Sequence, residues 1–222
     1  MTGEEKVVFY GGVLVAIILH EISHGVVALF FGDDTAKRSG RLTLNPIRHI
    51  DPFGSIILPA MLVVAGGRPF GWAKPVPVDP SKLHNPRRQM IFVGLAGPAT
   101  NFLLMLGAAV AGRRLVHAWM VAHPFRVQVT GFRLADLPFL AQVFVFFALG
   151  NLILGIFNLL PIPPLDGSSL IERVLPQRWL PKWYQLRPYG LIVLLLLVFS
   201  TNLLGKVLNP FQLALFHYVG LP

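Results

Sequence analysis

The chain has 222 residues, of which 54% are hydrophobic and only 13% charged, and its mean hydropathy is +0.64. It contains no cysteine, which excludes disulfides and thiolate metal ligands. A net charge of +9 would suit nucleic-acid binding in a soluble protein, but in so apolar a chain it fits basic loops held at a membrane surface.

The first apolar run, Val7–Phe31, would make a helix of roughly 37 Å, longer than the bilayer core of about 30 Å. It is also too long for a signal-peptide core, so it is expected to be retained. Inside it lies "LHEISHGVVALFF", residues 19–31, with three ionisable side chains in an otherwise apolar stretch. Ionisable groups at membrane depth cost several kcal/mol each, and persist where they are paired or functional. Four-residue spacing puts His20 and His24 on one helix face, with Glu21 about 100° round. That is the HExxH arrangement, in which two imidazoles bind zinc and the carboxylate takes a proton from the water the metal activates. The bland alternative is a polar cluster tying helices together.

Residues 39–47, "SGRLTLNPI", alternate polar and apolar as a strand does. The short run Phe53–Ala65 has basic flanks and reads as re-entrant or as a short, tilted helix. In "AKPVPVDP" the prolines at 75 and 77 share one edge, so only the edge carrying Val76 and Val78 can pair fully. These segments are expected to form a small sheet near the site. Its free edge would take an unwound substrate by strand addition through Val76 and Val78. A purely structural proline-rich loop is the alternative.

The second long run is Met90–Ala111. Within it Gly97-Pro98 reads as a helix break or tight-packing point, and Asn101 as a cross-helix hydrogen bond or a substrate contact. Phe139–Leu160 is the third span and Leu191–Leu204 the fourth. Leu203–Val219 is a further span or a surface helix. Trp72, Trp119, Trp179 and Trp183 suit interfacial anchors. Three basic segments follow the first run, precede the second and precede the last, and together hold 13 of the 19 lysines and arginines. Placing them inside puts the N-terminus outside, although the external loop 113–138 then carries Arg113, Arg114, Arg126 and Arg133.

A catalytic zinc takes three protein ligands and keeps one open position, so two histidines need a partner. Most of the ten acids lie in tails, loops or at run ends. Asp166 differs, lying in "FNLLPIPPLDGSSL", residues 157–170, where Pro161, Pro163 and Pro164 interrupt the helix. Carbonyls freed in this way are tolerated at membrane depth only inside protein or beside water. Gly167 would permit a tight turn that aims Asp166 inward. An ordinary exit turn with a surface aspartate is the alternative.

"HEISH" in one apolar run and "NLLPIPPLDG" at the end of a later one resemble the site-2 protease family of intramembrane zinc metalloproteases. "AGPATN", 96–101, is similar to its Gly-Pro-x-x-Asn motif, and "GWAKPVPVDP" and "NPRRQM" resemble the connecting segment of its compact prokaryotic members. The resemblance implies His20, His24 and Asp166 as ligands of one Zn²⁺ per chain, Glu21 as catalytic base, and Asn158 as a group holding substrate backbone. Unlike some members, the chain is expected to lack an extra span before the HExxH helix. No loop is long enough for a PDZ domain, so gating of that kind is expected either to come from elsewhere, such as a separate regulatory or adaptor protein, or to be absent.

The expectation is therefore an all-α polytopic membrane protein. It has about four to six transmembrane or re-entrant helices and a small β element near the cytoplasmic side. Residues 1–222 form one integral-membrane domain, with a catalytic core at about 7–175 and C-terminal helices at about 187–219. The partners are the bilayer and a transmembrane protein substrate, and nucleic acid is not expected. The setting is the prokaryotic plasma membrane, with the active site open to the cytoplasm. A divalent-metal transporter and an inactive membrane scaffold are the other readings. A transporter has no use for a non-ligand carboxylate at position 21.

Overall fold

A computed structural model describes residues 3–64, 66, 71–124 and 134–221. Arg68, Arg126 and Arg133, which entered the charge argument, lie outside the described residues. The long elements are α1 (Gly3–Phe30), α4 (Pro86–Ala122) and α5 (Phe139–Asn158). Shorter helices are α2 (Thr35–Arg38), α3 (Leu58–Val64), α6 (Ser168–Val174), α7 (Leu180–Leu186), α8 (Gly190–Ser200) and α9 (Leu203–Val219). By length and composition α1, α4 and α5 can each cross a membrane. A fourth span exists if the bent pair Gln177–Val198 and Leu203–Val219, set at 71°, counts as one. At about 1.5 Å per residue, α5 alone measures roughly 30 Å, the thickness of the hydrocarbon core.

The run Leu191–Leu204 is not one span. Its helix stops at Ser200, and Thr201 is extended (φ −131°, ψ 156°). The Thr201 hydroxyl donates to the Leu197 carbonyl and receives the Leu203 N–H, so side-chain bonding replaces the helical ladder at the break. The stretch Pro52–Val64 is a π-helical turn (Pro52–Ile57) leading into α3. It measures about 20 Å, short of a bilayer core.

The chain divides into two compact units, with boundaries inside α1 and α4: residues Ile17–Gly97, and residues Met1–Ala16 with Pro98–Pro222. The second of these has an apolar core. Ala141, Val145, Ala148 and Leu152 recur at helical spacing on α5. They pack with Ala108, Ala109 and Val116 of α4 and Leu215 and Val219 of α9. Glycines set the closest approaches. A Cβ at Gly150 would lie 2.9 Å from Val13, and one at Gly155 3.1 Å from Phe102. Trp119 is buried in this core and stacks on His123, so it is not an interfacial anchor. Asn101 and Asn151 are fully buried there, and the Asn101 amide donates to Asn151 Oδ1 at 2.9 Å.

In the unit Ile17–Gly97, α1 ends at a glycine stop. Gly32 has φ +105°, and the Asp33 N–H reaches back to the Ala28 carbonyl at 2.9 Å, closing the helix end. The chain then runs through α2, a 3₁₀ turn (Pro46–His49), the π turn and α3, and returns as an irregular segment over 71–79.

The expected small β element is absent: no strand occurs among the described residues. A ladder needs a repeating row of donors, and the prolines at 75, 77 and 80 leave too few. The nearest backbone bond runs from Lys74 N–H to the His49 carbonyl at 2.9 Å, just beyond residues 39–47. Side chains supply the rest. The Arg41 guanidinium donates to the Lys74 carbonyl at 2.6 Å, and the Asp33 carboxylate accepts the Asp79 N–H at 2.7 Å. Asp33 also accepts the N–H and hydroxyl of Thr35.

Candidate metal centre

His20, Glu21 and His24 sit on the C-terminal half of α1, all within the unit Ile17–Gly97. Both histidines are buried. Their Nε2 atoms stand 3.1 Å apart and their rings meet edge to face. Two nitrogens bound at ~2.05 Å to one tetrahedral zinc would be roughly 3.3 Å apart, so the pair has the span of a shared ion.

α4 tunes this pair. His24 Nδ1 lies 2.6 Å from the Val93 carbonyl oxygen. That oxygen can only accept, so Nδ1 carries the proton and a neutral His24 keeps its Nε2 lone pair for a ligand. One turn later, Gly97 leaves a vacant volume against both rings. A Cβ built there would lie 2.5 Å from Nε2 of His20 and 2.5 Å from Nε2 of His24. A side chain there would press on both rings, so the glycine keeps the approach to the two Nε2 atoms open. The donor set and the cradle therefore fit zinc.

Glu21 does not join the imidazoles. Its Oε2 accepts the Val76 backbone N–H at 2.8 Å. Val76 is buried, and its side chain lies against α1 at Gly25, where an added Cβ would stand 3.0 Å from Val76 Cγ1 and 2.6 Å from Leu42 Cδ2. Val78 is half-buried two residues on.

The remaining candidates lie in the other unit. α5 ends at Asn158, whose side-chain amide donates to the Leu154 carbonyl at 3.0 Å on its own helix. The proline stretch folds back on that end: Gly167 N–H donates to the Asn158 carbonyl at 2.7 Å, and Leu165 N–H to that of Ile162 at 2.9 Å. Asp166 is half-buried in this turn, just before α6, and its carbonyl accepts the Ser169 hydroxyl at 2.7 Å. Gly167 does not supply an unusual backbone angle, because its φ is −57°. It supplies room instead, since a Cβ would fall on the Leu159 carbonyl oxygen. Asn101 is enclosed with Asn151, as described above.

Sequence reasoning missed three contributors: the Val93 carbonyl, the Gly97 cradle and the occupation of the Val76 N–H by Glu21. Gly97 had a signal, a glycine held next to a proline in an apolar helix. The two backbone contacts had none, because backbone atoms carry no sequence identity.

Residues 8–199 match the sequence profile described as Peptidase family M50. The chain is 42% identical over 197 residues to the protein named "Putative zinc metalloprotease YwhC" of Bacillus subtilis strain 168, covering 89% of this chain and 82% of that one. It is 33% identical over 202 residues to "Putative zinc metalloprotease Rip2" of Mycobacterium tuberculosis strain H37Rv, covering 90% and 69%. The Rip2 protein of Mycolicibacterium smegmatis is 35% identical over 163 residues, covering 72% and 54%. No solved structure matches at the same stringency.

Proposed function

Since the chain belongs to peptidase family M50, the site-2 protease family, and is a zinc metalloprotease with several membrane-crossing helices, we propose that it cleaves within membranes, hydrolysing peptide bonds in or near the transmembrane segments of other proteins. The observation that carries this is the position of His20, Glu21 and His24 on α1, a helix long and apolar enough to cross a bilayer. A protease of soluble substrates would gain nothing from placing three ionisable groups in such a helix.

Zinc is the cofactor, as the family and its named relatives imply. We assign its ligands to His20, His24 and Asp166. The histidine pair leaves one protein ligand to be found, and a carboxylate is a ligand type that completes such a pair in catalytic sites. When bound, zinc supplies Lewis acidity that polarises a peptide carbonyl and lowers the pKa of water towards ~7. Glu21 is the general base, taking a proton from the attacking water and passing it to the leaving amine. Its separation from the imidazoles supports that division of labour, because its Oε2 is turned to Val76.

The substrate must partly unwind first. A transmembrane helix locks each scissile carbonyl in an i to i−4 hydrogen bond and shields it with side chains. Breaking such bonds in lipid is costly unless the enzyme offers partners. Asn158 and the proline-broken stretch 161–164 are suited to offer them. Water reaches the site from the cytoplasmic side of the plasma membrane, where the basic loops lie.

The test reconstitutes a single-span substrate in vesicles with wild type or Glu21→Gln. Wild type cuts inside the span, towards its cytoplasmic end. Glu21→Gln keeps its zinc while activity falls about 10²–10⁴-fold, the usual contribution of a general base. Changing a Gly, Pro or Asn near the cut to Leu slows cleavage roughly tenfold in vesicles, because helix breakers lower the unwinding cost. It matters much less in a short, unfolded peptide in detergent. Cleavage confined to extramembrane loops overturns the proposal. Zinc lost from Glu21→Gln as readily as from His20→Ala overturns the assignment of Glu21.

A further inference from the structure

The segment Lys74–Asp79 crosses α1 as a strap and is fixed at both ends. Lys74 is held through both backbone groups, its N–H on the His49 carbonyl and its carbonyl on Arg41. Asp79 is held by its N–H on Asp33. Between these anchors, Val76 gives its N–H to Glu21 Oε2 at 2.8 Å, and its side chain is buried against Gly25.

We propose that this strap is a positioning device for the general base, with the Val76 N–H holding one carboxylate oxygen of Glu21 so that the other is presented to water in a fixed orientation. The inference rests on Glu21 being the base. A glutamate on a helix has several rotatable bonds, and one hydrogen bond to a rigid donor removes most of that freedom. Proline makes the donor rigid and also sets the register. Pro75 and Pro77 have locked φ and no N–H, so a slip of one residue in either direction would set a residue without a donor opposite Glu21. Gly25 completes the arrangement, because a Cβ there would crowd Leu42, Ala36 and Val76 where they pack on the helix. The Val76 N–H is thus engaged by the enzyme's own carboxylate. The expectation that this N–H pairs with a substrate strand gives way to a role in orienting the base.

The test replaces Val76 by its α-hydroxy acid, which swaps the N–H for an ester oxygen and keeps the side chain. Val76→Ala is the counterpart that keeps the N–H and loses the packing. With a soluble unfolded peptide, the ester variant should lose roughly 10- to 100-fold in kcat, with KM and zinc content held, as expected for a misoriented base. Its loss should exceed that of Val76→Ala by about tenfold or more. A second readout needs no catalysis. The ester should lower Tm in the wild-type background and have no such effect in Glu21→Ala, where no carboxylate accepts the bond.

An equal Tm loss in both backgrounds overturns the contact. An ester variant with unchanged kcat, one that loses zinc, or one matched by Val76→Ala overturns the positioning role. An active Glu21→Gln would overturn the base assignment itself. An inactive Glu21→Gln beside a fully active ester variant would overturn this inference alone.

Discussion

In the unit Ile17–Gly97, the buried side chains Asp33, Arg41 and His49 of the connecting segments all bond to main-chain groups. In the unit formed by residues 1–16 and 98–222, the buried pair Asn101–Asn151 bonds side chain to side chain between two regular helices. The difference follows from the backbone. A long helix satisfies its own N–H and C=O groups, so polar side chains within it are free to tie one helix to another. An irregular segment interrupted by prolines has no ladder, so its main chain must be met by side chains or by water. One unit is therefore held mainly by apolar packing. The other is held by a web of directed bonds, and a web of that kind can set carboxylates and imidazoles at fixed angles.

The largest effect is expected where the web leaves a gap. Gly97→Ala would put a methyl 2.5 Å from Nε2 of both histidines. Purified protein should then lose zinc, with affinity reduced by more than the roughly 10- to 100-fold typical of removing a group that orients a ligand. Activity should fall with it, while the helical circular dichroism stays unchanged. Retained zinc at wild-type affinity would mean that α4 shifts easily, and that this unit is less rigid than its bonds imply.

A smaller effect tests the other unit. Asn101→Ala removes the donor to Asn151 Oδ1, which is fully buried. The cost should be about 1–3 kcal/mol in unfolding measured in detergent. Replacing both asparagines by leucine should recover most of that loss, because two apolar groups of similar size leave neither partner unmet. If the double variant is less stable than the single one, the pair does more than satisfy itself, and the contrast between the units narrows.

The same contrast explains what was legible in the sequence. His20, Glu21 and His24 could be read because helical spacing is fixed, and ionisable groups stand out in an apolar run. The helices α1, α4 and α5 could be read because a span needs only length and composition. The break at Thr201 and Asn202 was hidden by the apolar residues on both sides. Its cause is a hydroxyl bonding back to Leu197, which composition does not register. The strap was read as an edge strand because its prolines alternate. That alternation was real, but the donor it left at Val76 was taken by Glu21, 55 residues earlier in the chain. Gly167 was expected to permit a tight turn, and it does so at an ordinary φ of −57° by leaving room beside the Leu159 carbonyl, a contact the sequence does not register. Local rules held where structure is periodic and failed where distant segments meet.

The smallest expected effect concerns the anchor at the far end of the strap, and pH isolates it. Asp33 is buried just beyond the end of α1, outside the spanning helix. Burial pushes its carboxyl up, but the Thr35 hydroxyl, the N–H groups of Asp79 and Thr35, and Lys82 together outweigh burial and hold it below the ordinary aspartate value. A carboxyl lowered in the folded state stabilises the fold above its unfolded pKa of ~3.9, and that contribution is lost as pH falls through the lower folded value. Asp33→Asn replaces one accepting oxygen with an amide donor, so one side of the bridge between Thr35 and Asp79 must open. The loss at neutral pH should be about 1.5 kcal/mol, the low end for a hydrogen bond to a charged group. Unfolding of wild type and variant followed from pH 7 down to 3 should give curves that separate at neutral pH and converge on the acid side, below ~3.9. Because Asp33 holds the strap at Asp79, and Glu21 meets it at Val76, the variant should also lower kcat modestly at neutral pH. Parallel stability curves across the whole range would mean that the charge on Asp33 is not what fastens the strap, and that backbone bonding at Lys74 suffices to hold it.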